Sequence, residues 1–420
     1  MRLVADLRPL RVSRDLRILE LGNLLSGLGT QAALVALPFQ VYERTGSAFL
    51  TGLLGAAELG PIVVMGLWGG ALADRLDRRT LLLRVQLGLF LTQAILAAWT
   101  LGGTPPVVAL YVLGGLLAGF GSVDGVARQS IIPNLVPRAL LPSAVALNFG
   151  LFQATMVVGP GMGGLLIAGA GVGSAYAASA VGSLAMVLAA SWITPQPPAA
   201  GASPVRIRAS IAEGLRFVNG NSALKGSFAI DLMAMTFGMP RALFPVLAVS
   251  VYGAGAAGTG LLFSSVSAGA VAAVLLTGWV QHARRLGVIV LWAVAVWGLG
   301  IAAAGLTTSL WAAAGCFFVA GAADSVSAVC RSTINLSVTP DHLRGRMSSV
   351  FLLVVTGGPR LGDVEAGAVA GLAGPRFSVT SGGLACLAGV ALVAVAFPAL
   401  VRYDADEWRT PAAEPAPAAA

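Results

Sequence analysis

The chain has 420 residues, of which only 10% are charged and 57% are apolar, and its mean hydropathy is +0.85. A soluble globular protein carries about 25% charged residues, so this chain has too few to cover a water-facing surface. The composition excludes a soluble enzyme, a nucleic-acid-binding domain and a disulfide-stapled secreted domain. It predicts a polytopic membrane protein whose net charge of +8 faces anionic lipid.

Apolar runs recur along the chain, and each is long enough to cross a hydrocarbon core of about 30 Å. The first run is too long for a signal peptide and is interpreted as a span. Twelve spans are predicted, at residues 18–41, 49–73, 80–101, 106–126, 143–168, 172–194, 226–250, 257–280, 286–306, 309–330, 346–371 and 376–400.

These spans predict an all-α membrane protein built from two six-helix bundles. The predicted segments are a cytoplasmic tail, an N-terminal bundle, a cytoplasmic linker with an amphipathic helix on the inner membrane face, a C-terminal bundle and a disordered cytoplasmic tail, at residues 1–17, 18–194, 195–225, 226–400 and 401–420.

Basic residues are distributed unevenly between the two sides that the spans define. Of the 26 lysines and arginines, 22 fall on the side of the N-terminus, and only Arg44 and Arg376 lie in loops on the other side. Cytoplasmic loops carry such an excess, so both termini are predicted to be cytoplasmic. The strong preference for arginine over lysine is typical of a GC-rich bacterial genome, which indicates a bacterial cytoplasmic membrane.

Two short segments, at residues 128–140 and 331–343, repeat after the fourth span of each bundle. Arg, Ile, Pro and Leu coincide in them at a common offset of 203 residues. The matching places in the two bundles favour an internal duplication.

The segment after the second span reads Gly70-Ala-Leu72-Ala73-Asp74-Arg75-Leu-Asp77-Arg78-Arg79. It resembles the signature loop of the major facilitator superfamily, with Asp77 in place of the usual glycine. The resemblance implies the major facilitator fold and a charge relay that latches the two halves on the cytoplasmic side. On this chain the relay would consist of Asp74, Arg75, Arg78, Asp124 and Arg128. The alternative is a loop that is merely basic.

The fifth span contains Gly159-Pro160-Gly161-Met162-Gly163-Gly164. The run resembles the core of the antiporter motif of exporting superfamily members, although Thr155 stands where the motif has a further glycine. Small residues would let this span approach the eighth closely, and Pro160 would bend it. The alternative is generic small-residue packing in a chain with 54 glycines. The repeated segments, together with residues 213–217 and 343–347, resemble a branch of the superfamily that includes enterobactin exporters and macrolide-efflux proteins.

Ionisable residues inside membrane spans are functional candidates by default. The resemblance implies that the second and eleventh spans are neighbours where the halves meet, so Glu58 is expected to reach Arg360 and to carry a proton. Glu20 is expected at the membrane interface. The alternative is a set of fixed interhelical ion pairs without proton traffic. The candidates for proton coupling are Glu58, Asp231, Asp324, Arg360, Asp363 and Glu365.

The resemblance also implies a central cavity lined by the first, fourth, seventh and tenth spans. Thioether and aromatic side chains adapt to varied apolar shapes. The alternative for each of these side chains is packing against lipid or another helix. The cavity candidates are Asn23, Gln31, Met235, Phe237, Met239 and Arg241.

Enzymatic motifs and metal sites are not predicted. The only histidines, His282 and His342, lie in predicted cytoplasmic loops, and the three cysteines lie in or beside apolar runs without paired spacing. Without a phosphate-binding loop, ATP cannot drive the protein directly, so no cofactor is expected and a proton gradient is the expected energy source.

The predicted function is secondary active export of amphipathic small molecules, drug-like or siderophore-like, by proton antiport with alternating access. The expected partners are that small-molecule substrate and the lipid bilayer, with no nucleic acid, and the carrier is expected to be a monomer. An importer of a small nutrient and a non-transporting membrane sensor remain as alternatives.

Overall fold

The structure is a computed structural model that describes residues 6–197, 207–340 and 343–406. Within these ranges the side chains are described except at positions 70, 71, 73–75, 207–211, 281, 345, 348, 349, 352 and 353. Asp74 and Arg75 of the predicted relay are therefore placed by backbone only. His342, part of the predicted linker and most of the predicted C-terminal tail lie outside the described residues.

Twelve long helices follow one another along the described chain. They are α1 Arg14–Thr45, α2 Ala48–Arg75, α3 Arg78–Gly102, α4 Val107–Leu135, α5 Leu141–Ala170, α6 Val172–Trp192, α7 Ser222–Phe237, α8 Gly255–Leu276, α9 Leu286–Leu306, α10 Leu310–Val338, α11 Arg344–Ala373 and α12 Pro375–Ala396. A linker helix, Ile207–Gly220, lies between α6 and α7, and short helices at Arg8–Val12 and Pro398–Val401 flank the whole set.

Eleven helical segments of the described residues are long and apolar enough to cross a membrane. The twelfth long helix, α11, has 30 residues but carries Arg360, Asp363 and Glu365 in its middle. The all-α membrane fold predicted from the hydropathy pattern is confirmed.

The connections between the helices lie at two opposite ends of the bundle, named here the terminal face and the far face. The terminal face carries the first and last described residues, Asp6 and Asp406, and the described parts of the connections after α2, α4, α6, α8 and α10, at residues 75–78, 135–141, 193–197, 276–286 and 338–340. The far face carries the connections at residues 45–48, 102–107, 170–172, 251–255, 306–310 and 373–375.

The bounds of the helices repeat between the two halves. α4 and α10 begin and end 203 residues apart, and so do α5 and α11. The glycines that end α5 and α11, Gly171 and Gly374, share this offset and both have positive φ, of 78° and 90°. Glycine adopts this backbone conformation without the clash that a Cβ atom would bring. The same turn is therefore built twice.

Close helix contacts join the two halves at the far face. α5 packs against α8, and α2 packs against α11. A Cβ atom on Gly164 would lie 2.9 Å from the Gly260 Cα, and one on Gly52 would lie 2.7 Å from the Gly367 Cα. Because such contacts leave no room for a side chain, these glycines let the backbones touch. The halves are thus in contact at the far face.

Three helices differ from the predicted spans. α4 and α10 run to Leu135 and Val338, so Arg128 and Arg331 lie inside helices rather than in loops. The seventh span is not one continuous α-helix. It ends at Phe237, and it resumes as a short 3₁₀ turn at Arg241–Leu243 that leads into a π-helical turn at Leu247–Val251. Pro240 lacks an N–H group and disfavours helical geometry at the residue before it, which explains the break.

The linker helix packs on the terminal end of α11. Glu213 forms an ion pair with Arg346, and a Cβ atom on Gly214 would lie 2.8 Å from a methyl carbon of Val350. Gly214 and Val218 of this helix are therefore covered by protein, whereas Leu215 is exposed; the predicted position of the helix on the membrane stays a prediction.

Candidate functional site

A cavity of about 830 Å³ lies between the helices of the first half. It extends from Leu37 and Glu58, in the middle of the bundle, to Ile132 and Asn148 near the terminal face. Its wall is mostly apolar. The wall comes from α1 to α5 together with Arg360, which is the one described residue of the second half in it. Since the halves touch at the far face, the cavity approaches the membrane surface on the terminal side.

Arg128 is held at the terminal end of this cavity by three side chains. Its Nε atom lies 2.6 Å from Asp124 Oδ2, and its Nη1 and Nη2 atoms donate to Asn23 Oδ1 and Ser26 Oγ, each at 2.6 Å. Gln86 donates to the other Asp124 oxygen at 2.7 Å. Such a fully bonded guanidinium is fixed in position.

The predicted relay is brought together only in part. Arg78 Nη1 donates to the Ser130 carbonyl oxygen at 2.7 Å, which ties α3 to α4 beside the Asp124–Arg128 pair. Every described side-chain partner of Arg78, Asp124 and Arg128 lies in the first half, so these described contacts do not latch one half to the other.

Glu20, predicted at the membrane interface, is buried among protein side chains near the terminal end of α1. Only 3% of the residue is exposed, and its carboxylate accepts hydrogen bonds from Asn23 at 3.3 Å and Asn148 at 3.1 Å. Asn23 therefore links the carboxylate of Glu20 to the guanidinium of Arg128. The spacing of Glu20 and Asn23, three residues apart on one helix, is the signal that could have revealed this contact.

The run of glycines in α5 faces two different helices. A Cβ atom on Gly163 would lie 2.7 Å from the Ala32 Cα of α1, and Gly159 packs against the Gln31 side chain. Gly164, one position further, faces α8 instead. Pro160 lies inside α5, at the point where its carbonyl oxygen touches Gly260. The run thus holds α5 against both neighbours.

Glu58 and Arg360 meet where the two halves join. Glu58 Oε2 lies 2.8 Å from Arg360 Nη1, and the same Nη1 lies 3.4 Å from Asp363 Oδ2. The side chains of Glu58 and Asp363 are only 12% and 6% exposed. Buried charges require such partners. Glu365 does not join this group, because a position two residues beyond Asp363 and five beyond Arg360 points to another side of the helix.

The break in α7 is closed by groups from other helices. Asp363 Oδ1 accepts a hydrogen bond from the Ala242 N–H at 3.1 Å, and Trp297 Nε1 donates to the Gly238 carbonyl oxygen at 2.8 Å. Both backbone groups lose their intrahelical partners at the break, so these contacts satisfy them. Arg241 is placed beside the charged group of α11.

A second set of charges lies within the C-terminal half. Arg331 forms an ion pair with Asp231 of α7, and its Nη2 atom lies 3.6 Å from Asp324 Oδ1. The side chains of Arg331 and Asp231 are 6% and 4% exposed, whereas that of Asp324 is 24% exposed. Asp231 and Asp324 were separate candidates from the sequence, Arg331 was not a candidate, and the structure brings the three together.

The candidates on α7 do not line the large cavity. Met235 is 7% exposed and packs against Gly358 of α11. Met239 and Arg241 line a separate cavity of about 20 Å³, and Phe237 packs against the buried hydrophobic core. Arg241 also lines a cavity of about 60 Å³ with Glu58 and Arg360, between the two halves. Asn23 and Gln31 line the large cavity as predicted.

Comparison with known proteins identifies the family. The family model described as Transmembrane secretion effector matches residues 4–418. The enterobactin exporter EntS of Shigella boydii serotype 4 (strain Sb227) is 28% identical over 366 residues, which cover 86% of each chain. The protein of that name from Escherichia coli O139:H28 (strain E24377A / ETEC) matches with the same identity and coverage.

Solved structures share the fold. A bacterial homologue of the human lysosomal transporter Spinster, in an inward-facing and unoccupied conformation, matches with a TM-score of 0.70 and 16% identity over 95% of this chain and 98% of that one. The nucleoside transporter NupG matches with a TM-score of 0.68 and 14% identity over 93% of this chain and 100% of that one. The chain is a multi-pass membrane transporter that belongs to the Transmembrane secretion effector family of the major facilitator superfamily.

Proposed function

We propose that this protein exports amphipathic small molecules, siderophore-like or drug-like, from the cytoplasm across a bacterial cytoplasmic membrane. The observation that carries the proposal is the cavity of about 830 Å³, which approaches the terminal face while the halves touch at the far face. The excess of basic residues on the terminal side supports a cytoplasmic position for that face. Cargo would then be loaded from the cytoplasm.

The wall of the cavity suits a cargo with both apolar and polar parts. Phe149, Phe152 and Ile62 supply apolar surface, and the two ion-paired arginines Arg128 and Arg360 supply fixed polar groups. Sites of this kind take an amphipathic molecule and orient it with few polar contacts. The name of the curated relatives, enterobactin exporter, supports a siderophore as the first cargo to test.

The energy source in this proposal is the proton gradient. Carboxylates in the middle of a membrane bundle are costly, which favours a role in ion movement. Glu58, Asp231, Asp324 and Asp363 are four such groups, and the halves move against one another around them in alternating access. The carrier works as a monomer with both termini in the cytoplasm.

Everted membrane vesicles with and without the full-length protein test this function. Labelled enterobactin and ethidium should accumulate in vesicles with an acidic interior, and a protonophore should abolish the accumulation. Phe152→Ala should raise the substrate concentration that gives half-maximal transport. Leu165 is an exposed position on the same helix outside the cavity, so Leu165→Ala should leave that concentration unchanged.

Two alternatives are separated by the same preparation. An importer would accumulate these compounds in right-side-out vesicles and not in everted ones. A membrane sensor would transport neither compound in either orientation. Either result would overturn the proposal of export.

A further inference from the structure

Buried charged groups form a chain of charges that runs from the large cavity into the second half. It begins at Glu58 and Arg360, passes through Asp363 to Arg241, and continues to the carboxylate and guanidinium groups of α10 and α7. In order, the groups are Glu58, Arg360, Asp363, Arg241, Asp324, Arg331 and Asp231. Acidic and basic groups alternate along it.

Arg241 is the link between the two parts of this chain. It lines a cavity of about 60 Å³ together with Glu58, Arg360 and Asp363, and it also lines the cavity of about 20 Å³ that Asp324 borders. Its guanidinium makes no ion pair with a residue that the structure describes. Cavities of this size can hold one or a few water molecules when polar groups border them. Arg241 can therefore interact electrostatically with Asp324 in one cavity and with Asp363 in the other.

Charge counting shows that one carboxylate of the chain lacks a partner. There are four carboxyl groups and three guanidinium groups. Glu58 and Asp363 share Arg360, and Asp231 is paired with Arg331. Asp324 is left with a 3.6 Å contact to Arg331, which is beyond hydrogen-bonding distance, and its Oδ1 atom has no hydrogen-bond partner among the described residues.

Asp324 is also the least buried carboxylate of this chain of charges. Its side chain is 24% exposed, against 12% for Glu58, 6% for Asp363 and 4% for Asp231. A proton donor or acceptor must be reached directly or through one water molecule. Its unpaired Oδ1 atom is enclosed, and the cavity of about 20 Å³ that Asp324 borders has room for one water molecule. The larger exposed fraction, the adjoining cavity and the lack of a partner single out the same residue.

We propose that Asp324 is the group that binds and releases the transported proton, and that Arg241 transmits its charge state to Arg360 at the substrate cavity. This inference rests on the proposed proton antiport. A proton from the aqueous phase adds to the Asp324 carboxylate to form the O–H bond, and the same bond breaks on release. When Asp324 is neutral, Arg241 interacts with Asp363; when Asp324 is ionised, it attracts Arg241, and Asp363 relies on Arg360 alone.

Substrate and proton then occupy different halves of the molecule. The cavity belongs to the first half, the proton site belongs to the second, and Arg360 is common to both. Arg360 also holds Glu58 across the contact between α2 and α11. A change in the ion pairs of Arg360 therefore affects both the substrate cavity and the proton site. Coupling between two sites is reciprocal, so cargo beside Arg360 changes the proton affinity of Asp324 as the proton changes the binding of cargo.

Infrared difference spectra of the purified full-length protein at varied pH test the proton site without a substrate. The carboxylic-acid C=O band that titrates in wild-type protein should disappear in Asp324→Asn. It should persist in Glu365→Gln, which removes an intramembrane acid of α11 outside the chain of charges. An unchanged titrating band in Asp324→Asn would overturn the assignment.

Proteoliposomes test the coupling. In Asp324→Asn, accumulation of ethidium or labelled enterobactin against a gradient should fall to the level of protein-free liposomes, while exchange of labelled for unlabelled compound persists. Arg241→Gln should keep the titrating band but lose the release of protons on addition of substrate. Uphill transport that survives in Asp324→Asn would refute the proton role and leave antiport standing. If the wild-type protein shows no proton-driven transport, the proposed antiport is refuted instead. The infrared spectra would still show whether Asp324 is the carboxyl group that titrates.

Discussion

Arg128 on α4 and Arg331 on α10 occupy equivalent positions in the two halves, yet their partners on the neighbouring helix differ in charge. Arg128 reaches the neutral side chains of Asn23 and Ser26 on α1, whereas Arg331 reaches the carboxylate of Asp231 on α7. The first half thus keeps a polar group open to the cavity, and the second half encloses an ion pair. The repeated framework thus borders a large cavity in one half and encloses a charged core in the other.

This difference predicts that substituting Asp231 lowers the stability of the protein more than substituting Asn23. Asp231→Asn leaves Arg331 buried with only the distant Asp324, and removal of one partner from a buried pair costs about 3–5 kcal/mol. Asn23→Ala removes the hydrogen bonds of Asn23 to Arg128 and Glu20, but Arg128 keeps Asp124 and Ser26 and Glu20 keeps Asn148. This should cost about 1.5–3 kcal/mol. The apparent melting temperature in detergent should fall further for Asp231→Asn. Equal losses would contradict the enclosed ion pair.

The contact between α5 and α8 predicts a conformational effect of a larger residue. Gly164→Val forces the backbones apart at Gly260, and such overpacking costs about 1–3 kcal/mol. The far face is closed in this structure. If it opens in the other state of the transport cycle, the substitution favours that open state by about tenfold or more. Spin-label distances across the far face should lengthen and transport should fall.

Gly169→Val is the matched control for this change. Gly169 lies on the same helix, and nothing lies within 4 Å of a Cβ atom there. Normal transport and unchanged distances are expected for it. An identical effect of both substitutions would show that valine disturbs α5 itself rather than its contact with α8.

Asp77, the departure from the signature loop, anchors the segment that leaves the first half. Its Oδ1 atom accepts a hydrogen bond from the Thr80 N–H at 2.8 Å, which caps α3, and its Oδ2 atom accepts one from the Gln196 N–H at 2.5 Å. Asp77→Gly restores the usual residue of the motif but removes both contacts. Loss of the tie to Gln196 should speed proteolysis of the linker, and the melting temperature should fall slightly.

Asp77→Asn keeps one acceptor oxygen, which can still cap α3, but its NH2 group cannot accept the Gln196 N–H. Its melting temperature should therefore stay close to wild type, while its linker should be cleaved as fast as in Asp77→Gly protein. A linker that is cleaved at the wild-type rate in Asp77→Gly protein would show that the contact with Gln196 does not restrain it.

Orientation is tested by two exposed positions. In a cysteine-free background, Arg138→Cys on the terminal face should react with a membrane-impermeant maleimide only after the cells are opened. Thr104→Cys on the far face should react in intact cells. Both side chains are exposed, so access to the reagent is not limited by burial. The reverse pattern would place the termini outside and change the direction of transport.

The sequence predicted the fold well because hydropathy and helix length follow directly from the membrane. The internal repeat was also predictable, because the segments that begin at Arg128 and Arg331 match at an offset of 203 residues. The break in α7 was missed, although Gly238 and Pro240 could have revealed it. Helix rotation was not predictable, which is why Met235 and Met239 were assigned to the wrong cavity.

Contacts between distant segments were partly accessible. Glu58 and Arg360 could be paired from the neighbourhood of two helices in the resembling fold. Glu365 was grouped with them wrongly, although its spacing from Asp363 points to another side of the helix. The contact of Asp77 with Gln196 joins residues 119 positions apart and left no pattern in the chain.

The charge balance of the buried chain predicts the behaviour of Glu58. Glu58→Gln leaves three carboxyl groups for three guanidinium groups, so Asp324 becomes the counter-charge that the arginines require. Asp324 should then stay ionised, and uphill transport should be lost. Folded yield should change little, because Arg360 keeps Asp363 as its partner at 3.4 Å.

The double substitution separates this explanation from a direct proton role of Glu58. Glu58→Gln with Arg360→Gln removes one acid and one base, which restores the excess of a single carboxyl group. Proton-driven accumulation of ethidium in proteoliposomes should therefore recover at least in part, although Arg360 lines the cavity and the apparent affinity should drop. A group that itself carries the proton cannot be rescued by removing its partner. If the double variant is as inactive in uphill transport as Glu58→Gln while exchange persists in both, Glu58 rather than Asp324 carries the proton.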